Sequence, residues 1–147
     1  MKRFEFSLNK LKSYKNQVLD REKDALAFLR QQQQLLEEER SESIRRLTES
    51  NEEYKRQSMQ GLNVVQIQVF KGFHKSLSDR ITELEEAIKR AEFKVQQQVR
   101  VVVEATKEVK TLEKLEEKQL EEYKFKAAKA EEKFIDEFVL NQTYKAG

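Results

Sequence analysis

Residues 58–77 read SMQGLNVVQIQVFKGFHKSL, and they decide how the rest of the chain is arranged. This stretch holds two of the three glycines in a 147-residue chain without proline, and its densest cluster of branched and aromatic side chains. Gly61 suits the position just past a helix end, where a positive φ costs glycine nothing. Asn63 followed by Gln66 is the pattern of a capping box, which starts a second helix at once. The chain is therefore expected to reverse direction near residues 59–63. Gly72 is the other possible apex or a kink inside the second helix, and Gly61 is the preferred one.

Outward from the reversal, the periodicity is helical on both sides. From Leu77 the spacing runs three, four, three, four through Ile81, Leu84, Ile88, Ala91, Val95, Gln98, Val102, Ala105, Val109 and Leu112. Such a repeat is the seam of a left-handed supercoil, because the helices must wind to keep a 3.5-residue edge buried. After Leu112 the phase slips, and a stripe through Leu120, Tyr123, Ala127, Ala130 and Phe134 follows. The first half is less regular. Phe4, Leu8, Leu11, Val18, Ala25, Leu29 and Leu36 give one register, with Lys15 and Glu22 intruding. Tyr14, Phe28 and Leu35 broaden it, and Ile44, Leu47 and Tyr54 carry it on.

The fold class this predicts is all-α: one long antiparallel two-helix coiled coil over residues 1–147. Helix one is placed at about 4–58 and helix two at about 63–140, with a flexible C-terminal tail. At the α-helical rise these are roughly 80 Å and 115 Å long, so the second overshoots the first. Polar seam residues prefer each other, so Gln32 is expected to face Gln98, which leaves residues beyond about 128 unpartnered. Acid-before-base pairs at i, i+4 (Glu42–Arg46, Glu52–Arg56, Glu85–Lys89, Glu86–Arg90, Glu122–Lys126) support helicity and name no activity.

Composition sets the limits on function. Charged residues make up 38% of the chain and hydrophobic ones 37%, the balance of a long helical coil rather than a globule. Net charge is only +2, which does not indicate a nucleic-acid partner. The chain has no cysteine and one histidine, His74, so no disulfide framework, thiolate site or two-histidine zinc site can form. No phosphate loop follows either glycine, and carboxylates on solvated helix faces lack a pocket to tune them. No catalytic residue, cofactor, metal or small-molecule substrate is expected. The longest apolar run, ALAFL at 25–29, is far short of a spanning helix, and the chain reads as cytosolic.

Two surfaces remain as candidates. Bases gather near the N-terminus at Lys2, Arg3, Lys10, Lys12 and Lys15, a solvated face or a dock for an acidic partner. Val64, Val65, Ile67, Val69, Phe70, Phe73 and Leu77 cannot all fit one seam, so part of this cluster faces solvent or a partner, unless it plugs the hairpin end.

Three segments in order carry a resemblance: MKRFEFSLNKLKSYKNQVLDREKDAL at 1–26, GLNVVQIQVFKGFHKSLSDRITELEEAI at 61–88, and LEKLEEKQLEEYKFKAAKAEEKFIDEF at 112–138. Together they resemble the FliJ family, the small coiled-coil component of the flagellar type III export apparatus. That resemblance implies a hairpin similar to the terminal coiled coil of the rotary ATPase γ subunit. It implies that the end bearing both termini binds the hexameric export ATPase and promotes its assembly and hydrolysis. It further implies contact with a membrane export-gate protein early in helix two, handling of export chaperones, and a place at the cytoplasmic face of the inner membrane. The family's gate motif carries over to Phe73 and Leu77, with Phe70 in support. Arg80 and Leu84 stand where the motif has a small residue and a histidine. The resemblance supplies only a region for the ATPase contact. Charge selects Lys2, Arg3, Lys10, Lys12 and Lys15 on helix one and Lys124, Lys126 and Lys129 on helix two. A virulence-type secretion stalk, a parallel coiled-coil spacer and a basic nucleic-acid or membrane-surface binder are the alternative readings.

Overall fold

A computed structural model of the chain describes residues 2–146 and contains two helices, α1 (Asn9–Gln60) and α2 (Val64–Ala146). No strand occurs among the described residues. The helices pack against each other as an antiparallel hairpin, which excludes the parallel spacer.

The reversal is as short as its residues allow. Gly61 has φ of 95°, the left-handed conformation that L side chains rarely adopt, and its N–H donates to the Ser58 carbonyl at 3.2 Å. Two residues later the cap closes reciprocally. The Asn63 N–H donates to the Gln66 side-chain oxygen (3.0 Å), and the Gln66 N–H donates to Asn63 Oδ1 (2.8 Å). Two otherwise orphaned donors of the new helix are thereby satisfied. Gly72 lies inside α2, helical and unstrained.

At the other end, α1 begins at Asn9 rather than near Phe4. Residues two apart in a helix do not share a face, whereas in an extended chain they do. Phe6 is buried and Phe4 half-buried, its ring 5.5 Å from that of Tyr123. A non-helical entry lets both rings turn inward. α2 continues as helix to Ala146, past residue 140, so no separate tail follows within the described residues.

The chain divides into two compact units, each an antiparallel pairing of part of α1 with part of α2. In the unit Glu22–Val102, Leu77, Leu84 and Ile88 are buried, with Leu84 only 1% exposed. Tyr54 and Phe70 meet edge-on at 5.4 Å near the reversal. The Gln98 amide donates to the Glu22 carboxylate at 2.5 Å and to the Glu22 carbonyl at 3.0 Å. Gln98 thus faces Glu22, not Gln32, which is exposed. A Gln32–Gln98 pairing would put the apex at residue 65, already helical in α2. A carboxylate is also the stronger acceptor for a half-buried amide. The other unit joins the chain up to Arg21 to α2 from Val103, around Phe6, Leu19, Ala105, Val109 and Leu112. From residue 128 to 145 every residue of α2 is exposed. That boundary falls where residues 2–8 stop covering the helix, and the glutamine register has no part in it.

The α2 stripe from Leu77 to Leu112 is buried or half-buried at every position named from the sequence. The α1 stripe is the expected one only in part: Leu8, Lys15, Val18, Glu22, Leu29, Leu36, Leu47 and Tyr54 are half-buried as read. Its inward edge runs through Leu8, Lys12, Lys15, Leu19, Glu22, Leu26, Leu29, Gln33, Leu36, Arg40, Ser43, Leu47, Ser50 and Tyr54, in unbroken three–four spacing. Leu11, Tyr14, Ala25, Phe28, Leu35 and Ile44 are exposed. Long polar side chains can line a seam by laying their methylene stems on it while their heads pair at its edge. Arg40 does so toward Glu85, donating through Nε (3.2 Å) and Nη2 (3.1 Å). Glu85 is therefore taken across the hairpin rather than by Lys89. Arg56 pairs with Glu53 rather than Glu52, whereas Glu42–Arg46 forms at 3.5 Å. Among the described residues no buried side-chain nitrogen or oxygen lacks a partner.

Candidate interaction surfaces

Two surfaces carry side chains that the seam does not consume. Among the described residues no group of three or more His, Asp or Glu is placed to hold a metal ion. None of the helices is long and apolar enough to cross a membrane.

The first surface lies beside the reversal, in the Glu22–Val102 unit. Four residues of an α-helix turn about 40° past a full revolution, so a four-residue stripe drifts slowly around the helix. Val65, Val69, Phe73 and Leu77 form such a stripe. Their exposures are 67%, 67%, 47% and 9%, so it begins in solvent and ends in the seam. The pair singled out from sequence is thereby split. Phe73 presents its ring outward, while Leu77 belongs to the core and offers no surface. Phe70 is half-buried against Tyr54 and supports Phe73 from below. Val69, Phe70 and Phe73 line an open groove with Arg46, Glu49 and Glu53 of α1. Its floor is apolar, and its α1 wall carries both signs of charge. A smaller cleft on the other side of Phe70 is lined by Ser50, Asn51, Tyr54, Lys71 and His74. Arg80 donates across the hairpin to Glu39 (2.5 Å), and Leu84 is the most buried side chain, so both are engaged in holding the fold. Burial of the α2 seam against Leu36, Ser43 and Leu47 decides this split, and the α2 sequence read alone does not contain it.

The second surface lies in the unit containing the termini. Of the eight bases selected by charge, Lys12 and Lys15 are committed within the hairpin. Lys12 Nζ donates to Glu116 at 2.6 Å, and Lys15 Nζ lies 2.9 Å from Glu108. These hydrogen bonds hold both ammonium groups above the ordinary lysine pKa. Both lie on the seam. Lys2, Arg3 and Lys10 are exposed, as are Lys124, Lys126 and Lys129. Tyr123 gathers part of this set: its hydroxyl donates to the Lys2 carbonyl while its ring packs on Phe4. The backbone of Lys2 is thus held against Tyr123. Arg3 and Lys10 line a shallow groove over Phe4 and Phe6, with Glu116 on its far wall. Lys129 instead lies over the Phe125 ring, 5.5 Å from its centre. The bases brought together are therefore Arg3 and Lys10, in a groove over two aromatic rings that Glu5 and Glu116 also line.

The sequence reading named Val69 in the apolar cluster but did not select it as a site residue; it is more exposed than Phe73 and shares its groove. The four-residue stripe through Val65, Val69 and Phe73 was the available signal. Among known proteins, a family model described as flagellar FliJ protein matches residues 4–147. No curated protein and no solved structure matches the chain.

Proposed function

The chain belongs to the flagellar FliJ family and is a component associated with flagellar type III export, and from that premise we propose that it serves as a non-enzymatic stalk for the export ATPase. The unit bearing the termini engages the ATPase ring, promotes its assembly and raises hydrolysis. The surface beside the reversal contacts the membrane export-gate protein, and export chaperones are handed on in passing. The observation that carries this reading is the division of exposed chemistry between the two units. Exposed bases Lys2, Arg3, Lys10 and Lys124 lie in one, Arg3 and Lys10 beside the Phe4 and Phe6 rings, and an apolar groove around Phe73 and Val69 lies in the other. A helical hairpin can favour one arrangement of a subunit ring by binding it better than the separated subunits.

Purified flagellar export ATPase, assayed with and without the full chain, tests the first contact. Hydrolysis and ring formation should both rise. Replacing Arg3, Lys10 and Lys124 together by Glu should abolish the rise while leaving the helical circular-dichroism signal intact. Unchanged hydrolysis over a range of stalk concentrations would remove the proposal. For the gate contact, Val69→Ala with Phe73→Ala should weaken capture of the gate's cytoplasmic portion. Leu77→Ala instead tests the seam.

A further inference from the structure

The stretch of α2 after Ala127 has the makings of a seam and nothing in the hairpin to cover it. Tyr123 and Ala127, the last half-buried positions, lead at three- and four-residue steps into Ala130, Phe134 and Phe138 on the same side of the helix. Phe134 is 69% exposed and Phe138 56%. An isolated helix of this length is marginal in water, where most helical stability comes from packing an apolar face. The edge that packs against residues 2–8 at Tyr123 thus continues past the stretch those residues cover.

We propose that this extension is a self-association surface, occupied by the same extension of a second copy of the chain running antiparallel to it. Three features fit that occupant. The face is self-complementary in size: with Phe134 on the two-fold axis, Ala130 of one copy lies opposite Phe138 of the other, small against large. It is also complementary in charge. On one flank of the stripe, Lys133 comes beside Glu137 of the second copy, and the axis repeats the pair. Within the hairpin, antiparallel lysine–glutamate pairs of this kind already form at Lys12–Glu116 and Lys15–Glu108. Finally, the surface continues an existing antiparallel interface, so a second helix can join in the same geometry.

The test uses the full chain alone, so it stands apart from any assay of export. Sedimentation velocity from about 1 µM to about 200 µM should show a concentration-dependent dimer. Phe134→Glu with Phe138→Glu should leave it monomeric throughout, with circular dichroism reporting whether the hairpin persists. Phe125→Glu, on the opposite side of the helix, should leave the dimer unchanged. Lys133→Glu should weaken dimerisation at least about threefold, and adding Glu137→Lys should restore it. Because the chain lacks cysteine, orientation can be read directly. Phe134→Cys should cross-link under mild oxidation, while Ala127→Cys should not. A wild-type chain monomeric across the range overturns the proposal, as does a dimer indifferent to the paired phenylalanine change. Equal cross-linking at 127 and 134 overturns the antiparallel arrangement.

Discussion

The two edges of the same seam are made differently. The α2 edge is almost wholly apolar, and six of the eight buried apolar residues described (Leu77, Leu84, Ile88, Ala105, Val109, Leu112) lie on it. The α1 edge alternates leucines with Lys12, Lys15, Glu22, Gln33, Arg40 and Ser43. One helix supplies the hydrophobic driving force, and the other supplies the pairings that select register. Burial is non-directional and tolerates sliding, whereas a half-buried amide or ammonium must find its partner at one place. A hairpin with two apolar edges would cohere as well and align less surely.

The largest expected effect removes the driving force. Leu84→Ala should destabilise the hairpin by about 2–5 kcal/mol in urea denaturation followed by circular dichroism. On the opposite edge, Ser43→Ala should stay within about 1 kcal/mol, since no methylene cluster is lost. If the two variants cost the same, the division of labour is wrong. Next come the glycines, which should move in opposite directions. Gly61→Ala forces an alanine to φ near 95° and should cost about 1 kcal/mol or more. Gly72→Ala, whose added methyl meets nothing within 4 Å, should stabilise by about 0.5–1 kcal/mol. The register comparison is smaller. Glu22→Ala should cost about 1 kcal/mol by stripping Gln98 of both its charge-assisted bond and its alignment. Gln32→Ala should change stability by less than about 0.5 kcal/mol. Equal effects at 22 and 32 would revive the glutamine pairing.

The smallest effect is in pH. The pKa values of Lys12 and Lys15 are raised in the folded state, chiefly by hydrogen bonds to Glu116 and Glu108. Their contribution is complete below the ordinary lysine value and is lost as pH climbs through the raised ones. Thermal melts of wild type and of Lys12→Met with Lys15→Met should therefore converge at strongly alkaline pH and differ at neutrality. Because both ammonium groups are solvent-accessible, the gap should be small.

Glu42 is lowered by its Arg45 hydrogen bond, so its contribution runs the other way. It is present above the usual carboxylate range and is lost on acidification. Arg45 bridges Glu42 and Glu49 across about two turns of α1, at 2.5 Å to each. It stabilises that helix without touching the seam.

Much of this architecture was legible in the chain. Gly61 and the Asn63–Gln66 cap are local devices whose geometry follows from a few consecutive residues, and the structure has them as read. The α2 stripe was legible because its apolar residues repeat at three–four spacing with only Gln98 interrupting them. The α1 edge was legible only in part: Leu8, Leu29, Leu36 and Leu47 repeat as read, but a search for apolar periodicity also picks out Leu11, Phe28 and Leu35 and passes over Lys12 and Arg40. The roles of Leu77 and Phe73 were likewise merged, since a four-residue spacing looks like one face until the slow drift around the helix is counted.

By itself, the sequence determined that the chain is two helices with a reversal at Gly61. Helix periodicity, capping and positive φ are set by neighbours in the chain. Only the tertiary structure decided which side of α1 turns inward, that Gln98 meets Glu22, and that Leu77 is buried while Phe73 is not. Those outcomes depend on contacts between residues tens of positions apart, where burial of one edge and pairing of buried polar groups must be satisfied together, and no local pattern encodes that joint condition.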